Sequence, residues 1–432
     1  MRFLLLILII MSSVISSGCA TSKSGLKLNK TKTQTGKSKA SDKPTFYGKF
    51  GGKTVNIVRR NRSFETKGVW IATVKNLDMH RHQTASSYRK EIQTIFDTIS
   101  RHKATDVFFQ VRSWNDALYP SRLNPWSRWL TGTEGKGISG LDPLQCAIEE
   151  AHRRKLRLHA WLNPYRVCEA DATLTKQQAL AQLAPNNFAR KHPDYVLAVP
   201  TASPKIQLLV LDPGRPQVRS HIYQTVDEIL SRYQVDGIHF DDYFYPYEPI
   251  GNLDAASQAT YNKSKLPVEA WRRRNTDLMV SEVSRRVRAA SAKSKRKIEF
   301  GISPFGIWAN RKNHPEGSLT EGMESYFGQY ADSRKWVKNG WVDYIAPQLY
   351  WNFKSQAAAF AGLVEWWTAQ TKGTKVKLYI GIALYQGAPG GPWAKTNELA
   401  NQIEFIKGYS QVKGYVLFRG AFLDQAPYQL NP

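Results

Sequence analysis

Short apolar runs alternate with longer polar stretches along the chain from residue 68 onward. Each run is rich in β-branched or aromatic residues and ends in polar and aromatic positions, which is typical of a strand covered on both faces. The stretches between the runs have the length and pattern of helices. Eight such runs predict a (β/α)8 barrel, and they occupy residues 68–74, 106–112, 156–162, 235–242, 298–303, 342–348, 377–383 and 414–419.

Helix-start signals fit the same alternation. Asp142 precedes Pro143, a pair typical of an N-cap and a first helical turn. The longest gap between predicted strands separates the third from the fourth, and two short apolar runs within it predict an excursion of two extra strands. The predicted helices cover residues 87–102, 143–154, 216–233 and 267–292, and the extra strands cover residues 196–199 and 207–211.

The first twenty residues have the pattern of an export signal. Arg2 is followed by an apolar run at residues 3–11 that is too short for an ordinary membrane-spanning helix. Small residues then precede Cys19, as in the lipobox of bacterial lipoproteins, and Ala20 follows it instead of an aspartate. We therefore expect a signal peptide over residues 1–18 and an outer-membrane lipoprotein, lipidated at Cys19, that faces the periplasm.

Charge narrows the range of partners. The chain carries 61 basic and 35 acidic residues, a net charge of +26, which predicts a polyanionic partner. Export makes a nucleic acid an unexpected partner and leaves anionic lipid or an acidic cell-wall polymer. Residues 19–62 are rich in Ser, Thr, Lys and Gly, and they predict a flexible basic tether that acts either as a spacer or as a contact with polyanions. Residues 63–432 form the predicted catalytic barrel.

Two adjacent acids end the fourth predicted strand. Asp241 and Asp242 follow the apolar stretch that begins at Val235, at the end of the strand where (β/α)8 enzymes place their active sites. Two neighbouring carboxylates repel each other, so one should titrate high and the other low, and an acid and a base can then be made from one residue type. We predict that Asp241 and Asp242 are the catalytic pair.

Several motifs on successive strand ends resemble the glycosyl-hydrolase-like 10 family. The likeness covers about residues 63–420 and implies a (β/α)8 glycoside hydrolase; for lipoproteins of this type, the implied target is the glycan strands of peptidoglycan, with or without prior removal of their peptides. The motifs that carry the resemblance are FQVR at 109–112, HAWLNPYR at 159–166, LDPG at 211–214, GIHFDDYFYP at 237–246, GISPFGIW at 301–308 and PQLYW at 347–351.

Polar and aromatic residues near the strand ends are candidates for holding the sugar. Flat aromatic faces can stack on pyranose rings, amides can meet hydroxyl groups, and arginines can meet the carboxylate of muramic acid. Trp70 and Trp161, which lie inside their strands, are assigned instead to core packing. The predicted substrate-binding residues are Gln110, Arg112, Asp116, Asn163, Tyr165, His239, Tyr243, Trp308, Gln348, Tyr350, Trp351 and Arg419.

Two mechanisms remain open at this point. The ends of strands five to eight carry no acid, so either Asp241 works with an acid from strand one or two, Asp78 or Asp116, or the adjacent pair works alone. The second arrangement resembles hexosaminidases in which the 2-acetamido group of the substrate is the nucleophile. Peptidoglycan sugars carry that group.

Other functions and chemistries also compete. The chain could hydrolyse another acetylated or acidic polysaccharide, or it could be a catalytically silent anchor that grips the wall. His159 and His239 suggest a metal site, but nothing else in the sequence supports one. We therefore expect no metal and no cofactor. We also expect a monomer. Cys146 and Cys168 could form a disulfide in an oxidising periplasm.

Overall fold

The computed structural model describes residues 45–50 and 53–426 of the 432-residue chain. Its strands fall into a hairpin, a barrel and a small antiparallel sheet. The strands are β1 Thr45–Phe50, β2 Lys53–Ile57, β3 Thr66–Ile71, β4 Asp106–Arg112, β5 Arg157–Leu162, β6 Arg166–Asp171, β7 Val196–Pro200, β8 Ile206–Leu211, β9 Gly237–Phe240, β10 Glu299–Ile302, β11 Tyr344–Ile345, β12 Lys377–Ala383 and β13 Val412–Phe418.

Helices follow most of the barrel strands. The α-helices are α1 Ala85–Arg101, α2 Arg128–Thr131, α3 Pro143–Arg153, α4 Lys176–Ala181, α5 Phe188–Lys191, α6 Pro216–Arg232, α7 Ala255–Tyr261, α8 Val268–Ser294, α9 Ser325–Gly328, α10 Ser333–Lys338, α11 Phe360–Thr371 and α12 Glu398–Ile406. Short 3-10 turns lie at Val74–Asn76, Pro193–Tyr195, Leu384–Gly387 and Gly420–Phe422. Asp142 caps α3 as predicted, because its side chain accepts a hydrogen bond from the backbone nitrogen of Gln145.

The eight parallel barrel strands close in the order β10-β11-β12-β13-β3-β4-β5-β9. Each of the eight predicted runs overlaps one of them, so the predicted (β/α)8 barrel is confirmed. Aromatic side chains fill the barrel interior, where Trp70, Phe108, Trp161, Tyr344 and Tyr379 are buried together. Gly237 makes room for this filling, because a Cβ atom there would lie 2.2 Å from Nδ1 of His159.

The excursion between the third and fourth barrel strands is a three-stranded antiparallel sheet in the order β6-β8-β7. The sequence predicted β7 and β8 but missed β6. Periodicity could not reveal β6, because its sequence, RVCEAD, buries only two adjacent residues, Val167 and Cys168. The missed strand begins at Arg166, four residues after the end of β5.

Part of the predicted tether is folded. β1 and β2 pair as an antiparallel hairpin inside the segment 19–62, and Val55 and Ile57 are buried in the main core. These two apolar residues lie among polar neighbours, so average composition hid them. The signal peptide, Cys19 and the rest of the tether up to residue 44 lie outside the described residues and remain predictions. Within the described ranges, no helix is long and apolar enough to cross a membrane.

The two described cysteines are separate buried thiols, so the proposed disulfide is not formed. Cys146 lies on α3, where Arg89 of α1 is a neighbour, whereas Cys168 lies on β6 with Arg128 nearby. Burial raises the pKa of the Cys168 thiol to about 12 and also raises that of Cys146. Both thiols therefore stay protonated and unreactive at neutral pH.

Candidate active site

Asp241 follows directly after β9 and is buried at the end of the barrel. Its Oδ2 accepts hydrogen bonds from Nε1 of Trp161 at 3.0 Å and from Nδ2 of Asn163 at 3.2 Å. Its Oδ1 accepts a third bond, at 3.2 Å, from the backbone nitrogen of Tyr243. Burial raises the pKa of Asp241, while the charge of Arg166 and these hydrogen bonds oppose the rise. Asp241 thus has the surroundings of a stabilised carboxylate.

Asp242 is equally buried but has surroundings of the opposite kind. Its carboxyl accepts a hydrogen bond from the hydroxyl of Tyr247, and its backbone carbonyl accepts a 2.6 Å bond from Nε2 of Gln329. Burial, and then the negative charge of Asp241, raise the pKa of Asp242 to about 8, although a hydrogen bond from Gln348 opposes the rise. At neutral pH Asp242 therefore keeps its proton. The pKa values of both acids are raised, so the predicted pair of a high and a low acid stays a prediction; the two carboxyls differ in the donors and charges around them.

Partly exposed aromatic rings continue outward from the two acids. The Tyr243 and Tyr247 rings are 5.1 Å apart, the Tyr247 and Phe305 rings 6.0 Å, and the Phe305 and Trp351 rings 5.5 Å. Arg166 lies over the Tyr243 ring, with its guanidinium carbon 3.6 Å from the ring centre. We call the rings of Tyr243, Tyr247, Phe305 and Trp351 the aromatic rim. Their faces and edges offer an apolar surface next to Asp242 on which a sugar ring can lie.

Three further predicted residues follow the carboxyl ends of β11 and β13. Tyr350 stacks on Phe418 at 5.7 Å and packs against Tyr385 at 6.3 Å. Nε2 of Gln348 donates to the carbonyl of Ser303 at 2.9 Å. Arg419 donates to Asp78 at 2.7 Å, so its guanidinium is already paired with a protein carboxylate. Gln348 and Tyr350 remain candidates for direct contact with a substrate.

Other predicted contact residues instead build the walls of the site. Arg112 is buried and donates to the carbonyls of Asn163 and Pro164 at 2.5 and 3.1 Å. Oε1 of Gln110 accepts from the backbone nitrogens of Thr73 and Val74 at 3.0 and 2.9 Å. These contacts hold the loops after β3 and β5, so the predicted direct sugar contact by Arg112 is not supported.

The alternative acids on early strands are also engaged. Oδ1 of Asp116 accepts from the backbone nitrogens of Ser113 and Trp114 at 2.9 and 3.0 Å, which ties its own loop. Asp78 accepts from Arg419 and from the backbone nitrogens of Ala72 and Ala421 at 2.7 to 2.8 Å. Glu169 pairs with Lys75 at 2.8 Å. Each of these three carboxylates has a structural task.

Three predicted contact residues lie away from the opening. His239 is fully buried and is bonded at Nε2 by Nε1 of Trp70 and at Nδ1 by the hydroxyl of Tyr344, both at 3.1 Å. Tyr165 is buried in the main core. Trp308 is buried too, and its Nε1 donates to Asp332 at 3.1 Å. Because these three side chains are deeply buried, a sugar cannot reach them. Their rings pack among apolar neighbours, so their aromatic character reflects core packing and not sugar binding.

The buried histidines have protein partners for their ring nitrogens. His159 lies 3.0 Å from Asp106 and 3.2 Å from the hydroxyl of Tyr344. Burial, and then the nearby His159, lower the pKa of His239 well below its ordinary value, so this ring is neutral. Among the residues that the structure describes, no three His, Cys, Asp or Glu side chains are grouped so that they could hold a metal ion.

Sequence reasoning missed two donors to the acids. The indole of Trp161 donates to Asp241, and the phenol hydroxyl of Tyr247 donates to Asp242. Trp161 was assigned to core packing because it lies within a strand, yet its Nε1 faces Asp241. The available signal was its register, since Trp161 pairs with His239 across β5 and β9, two residues before Asp241. Tyr247 lies in the aromatic cluster after β9, and only the loop geometry directs its hydroxyl to Asp242.

Comparison with known proteins gives consistent matches. The glycosyl hydrolase-like 10 profile matches residues 65–390. Glycosyl hydrolase YngK of Bacillus subtilis is 37% identical over 371 residues, which are 84% of this chain and 69% of that protein. Glycosyl hydrolase DigH of Escherichia coli is 36% identical over 389 residues, 84% of each protein. Among solved structures, the catalytic domain of a Paenibacillus polymyxa β-amylase has a TM-score of 0.49 at 12% identity, covering 84% of this chain and 95% of that one.

Proposed function

Because this chain belongs to the glycosyl hydrolase-like 10 family, we propose that it is a glycoside hydrolase that cleaves the glycan strands of peptidoglycan. The observation that carries the proposal is the unequal surroundings of Asp241 and Asp242. Asp241 accepts three hydrogen bonds near Arg166, whereas the pKa of Asp242 is raised to about 8. Asp242 therefore keeps its proton at neutral pH and can act as an acid, while Asp241 has the hydrogen-bond donors and the nearby guanidinium that stabilise a carboxylate.

We assign Asp242 as the general acid and Asp241 as the residue that orients the substrate. In the first step the carbonyl oxygen of the 2-acetamido group forms a bond to the anomeric carbon of its own sugar, and the bond to the leaving oxygen breaks. Asp242 transfers its proton to that leaving oxygen. The carboxylate of Asp241 accepts a hydrogen bond from the acetamido N–H, which makes the carbonyl oxygen a stronger nucleophile.

The second step restores the enzyme. Asp242, now a carboxylate, takes a proton from water as the water oxygen bonds to the anomeric carbon and the acetamido oxygen leaves it. The displacement occurs twice at one carbon, so the product has the anomeric configuration of the substrate. The engagement of Asp78, Asp116 and Glu169 in structural contacts supports this mechanism over one that uses a distant second carboxylate.

Peptidoglycan fits these features as a substrate. Its sugars carry the 2-acetamido group, and its chain of pyranose rings can lie on the aromatic rim beside Asp242. Arg166 is only partly buried and lies over the Tyr243 ring of the aromatic rim, so it is the arginine best placed to meet the carboxylate of muramic acid. Arg112 and Arg419 are committed to protein acceptors.

We also propose that the protein acts in the periplasm as an outer-membrane lipoprotein. The support is the sequence alone: Arg2, the apolar run at residues 3–11 and the small residues before Cys19. A Cys19→Ser protein should appear in the soluble fraction, because a lipidated cysteine would be the membrane attachment. Recovery of the Cys19→Ser protein with the outer membrane would contradict the lipoprotein assignment.

Incubation with purified cell-wall sacculi tests the activity. Intact and peptide-stripped sacculi are treated with the wild-type protein, with Asp242→Asn and with the control Asp194→Asn, which changes an exposed acid. Mass spectrometry of the released fragments should find glycan fragments with wild type and control only. Binding without release by the wild-type protein would instead identify a glycan-binding anchor, and release from another acetylated polysaccharide alone would change the substrate.

A further inference from the structure

Lysines are concentrated at the amino-terminal ends of the barrel strands, on the face opposite Asp241 and Asp242. Residues from 45 onward still carry 53 basic and 34 acidic side chains, so the tether does not explain the charge of the chain. Six lysines on this face are wholly or partly exposed, and we call them the amino-terminal collar. They are Lys67, Lys103, Lys155, Lys295, Lys372 and Lys375.

Within the part of the chain that the structure describes, the collar lysines have no ion-pair partner. Acids do occur on this face, but they already serve other groups. Glu299 pairs with Arg157 at 3.2 Å and with Lys297 at 2.8 Å, and Glu65 lies 3.5 Å from Lys377. Burial lowers the pKa of Lys67, and the nearby charges of Lys103 and Lys407 lower it further. Lys67 and Lys103 therefore repel each other, and no described carboxylate pairs with either.

Three collar lysines occupy a backbone conformation that favours glycine. Lys103, Lys155 and Lys295 have φ angles of 55°, 59° and 53° in the turns that lead from a helix to a barrel strand. Two other turns of this kind have glycine in the left-handed conformation, Gly340 and Gly373. Glycine would fit all five positions with less strain. Lysine at three of them adds positive charge at a conformational cost.

The course of the chain brings its first described residues to the same face. Thr45 pairs with Ile57 across the hairpin. Downstream of the hairpin, Arg62 donates to the carbonyls of Tyr409 and Val412 at 2.7 and 2.6 Å, in the turn that leads into β13. The hairpin strand β2 therefore leads into the barrel at this face, and the segment before Thr45 is joined to that hairpin along the chain.

From this arrangement we propose that the amino-terminal collar docks on an anionic lipid bilayer. A lysine near such a surface contributes to binding. A charge on the far side of the barrel does not, because strands of about six residues span roughly 20 Å, whereas the Debye length is about 8 Å at physiological salt. Docking turns Asp241 and Asp242 away from the membrane and towards the space where glycan lies. The inference does not depend on the proposed hydrolysis, since binding to lipid needs neither acid.

Vesicle sedimentation tests the proposal. The full chain carrying Cys19→Ser is compared with versions that add Lys103→Gly, Lys155→Gly and Lys295→Gly together. The vesicles contain phosphatidylcholine with or without 30% phosphatidylglycerol, in 0.1 M salt. Each lysine near an anionic surface accounts for about a fivefold change in partitioning, so the triple variant should bind anionic vesicles about 100-fold more weakly.

The matched control removes the same charge from the opposite face through Lys265→Gly, Lys312→Gly and Lys354→Gly. These lysines are exposed and lie in loops that follow the carboxyl ends of strands, and Lys265 also has a positive φ angle, 49°. The control triple should bind within about threefold of the parent chain, because its charges are more than a Debye length from the docked surface. Glycine adopts the left-handed conformation with less strain than lysine, so the thermal midpoint of the collar variant should not fall. If it does fall, a second variant with asparagine at the same three positions replaces it.

Three results would overturn the proposal. The parent chain could bind the two kinds of vesicle equally, which would exclude an electrostatic contact. The collar and control triples could lose the same affinity, which would make net charge, not this face, responsible. The collar triple could lose binding to soluble inorganic polyphosphate while still binding anionic vesicles, which would identify a polyanionic polymer as the partner.

Discussion

Trp161 donates a 3.0 Å hydrogen bond from its indole nitrogen to Oδ2 of Asp241, so a side chain of one barrel strand stabilises the acid that ends the neighbouring strand. No comparable indole reaches Asp242 among the described hydrogen bonds; its carboxyl is approached by the Tyr247 hydroxyl. The two adjacent acids thus differ through their neighbours, and the chemistry proposed for them can be tested one contact at a time.

Asp241→Asn and Asp242→Asn should each reduce kcat by roughly 10²-fold or more, the usual scale for the loss of a general acid or base, while glycan binding is nearly retained. Asp116→Asn should reduce kcat less, because Asp116 holds its own loop. Release of glycan fragments and sedimentation with sacculi measure the two quantities. Full activity of Asp242→Asn would rule out its assignment as the acid.

The activity should fall above about pH 8, because the pKa of Asp242 is raised to about 8 and the proposed acid must hold its proton. Burial is the largest cause and the charge of Asp241 the next, so Asp241→Asn should move the alkaline limb of kcat/KM to lower pH in the activity that remains. An unmoved limb in Asp241→Asn would show that another group titrates.

The same raised pKa predicts a trend in stability. Between about pH 4 and pH 8 the folded protein holds a proton on Asp242 that the unfolded chain releases, so this group stabilises the fold fully below pH 4 and loses that effect as the pH rises through 8. Relative to wild type, Asp242→Asn should gain free energy of unfolding as the pH is raised across this window. Chemical denaturation of both proteins at pH 5 and pH 8 measures the difference.

Trp161→Phe should lower kcat with little change in KM. The substitution keeps an aromatic ring but removes one of the three donors to Asp241, so the pKa of Asp241 should rise and the acidic limb of the pH profile should move up. Trp308→Phe is the matched control, since it removes an indole donor to another buried carboxylate, Asp332. The free energy of unfolding of the control should fall by about 1 kcal/mol, and its activity should be unchanged. Equal effects on kcat in the two variants would mean that Trp161 acts only through stability.

The proposed nucleophile belongs to the substrate, which gives a further prediction. An N-deacetylated glycan strand should resist cleavage, and a thiazoline mimic of the cyclised intermediate should inhibit the wild-type enzyme. Nuclear magnetic resonance of the first products should find retained anomeric configuration. Rapid cleavage of the deacetylated strand would instead assign the nucleophile to Asp241, and Asp78 or Asp116 would then have to be reconsidered.

Barrel strands could be predicted because each is buried on both faces and is therefore mostly apolar, as in residues 235–240, the stretch that contains β9. The short strand β6 could not, since Glu169 and Asp171 face outward and break any run of apolar residues. The hairpin strand β2 was missed for a similar reason: only Val55 and Ile57 reveal its buried side. Composition describes a segment on average, whereas two well-placed apolar residues are enough to anchor a strand.

The position of Asp241 and Asp242 at the end of a barrel strand could be predicted, and most of their contacts could not. Position at a strand end identifies Asp241 and Asp242, because every parallel strand of a barrel ends on the same face. Orientation is another matter: Arg112 looks like a ligand for a carboxylate but bonds to the carbonyl of Asn163, and Trp161 looks like core but bonds to Asp241. Hydrogen bonds made between loops depend on three-dimensional placement that neither residue type nor spacing encodes.

Closure of the barrel also sets the order in which the protein can be completed. β3, the first barrel strand to be synthesised, pairs with β13, the last, through contacts such as Thr66 with Gly414. Until β13 is in place, β3 has an open edge and the acids after β9 lie at the end of an incomplete sheet. A chain that ends before β13 therefore cannot close its barrel, so the face that carries Asp241 and Asp242 is complete only when the final strand is present.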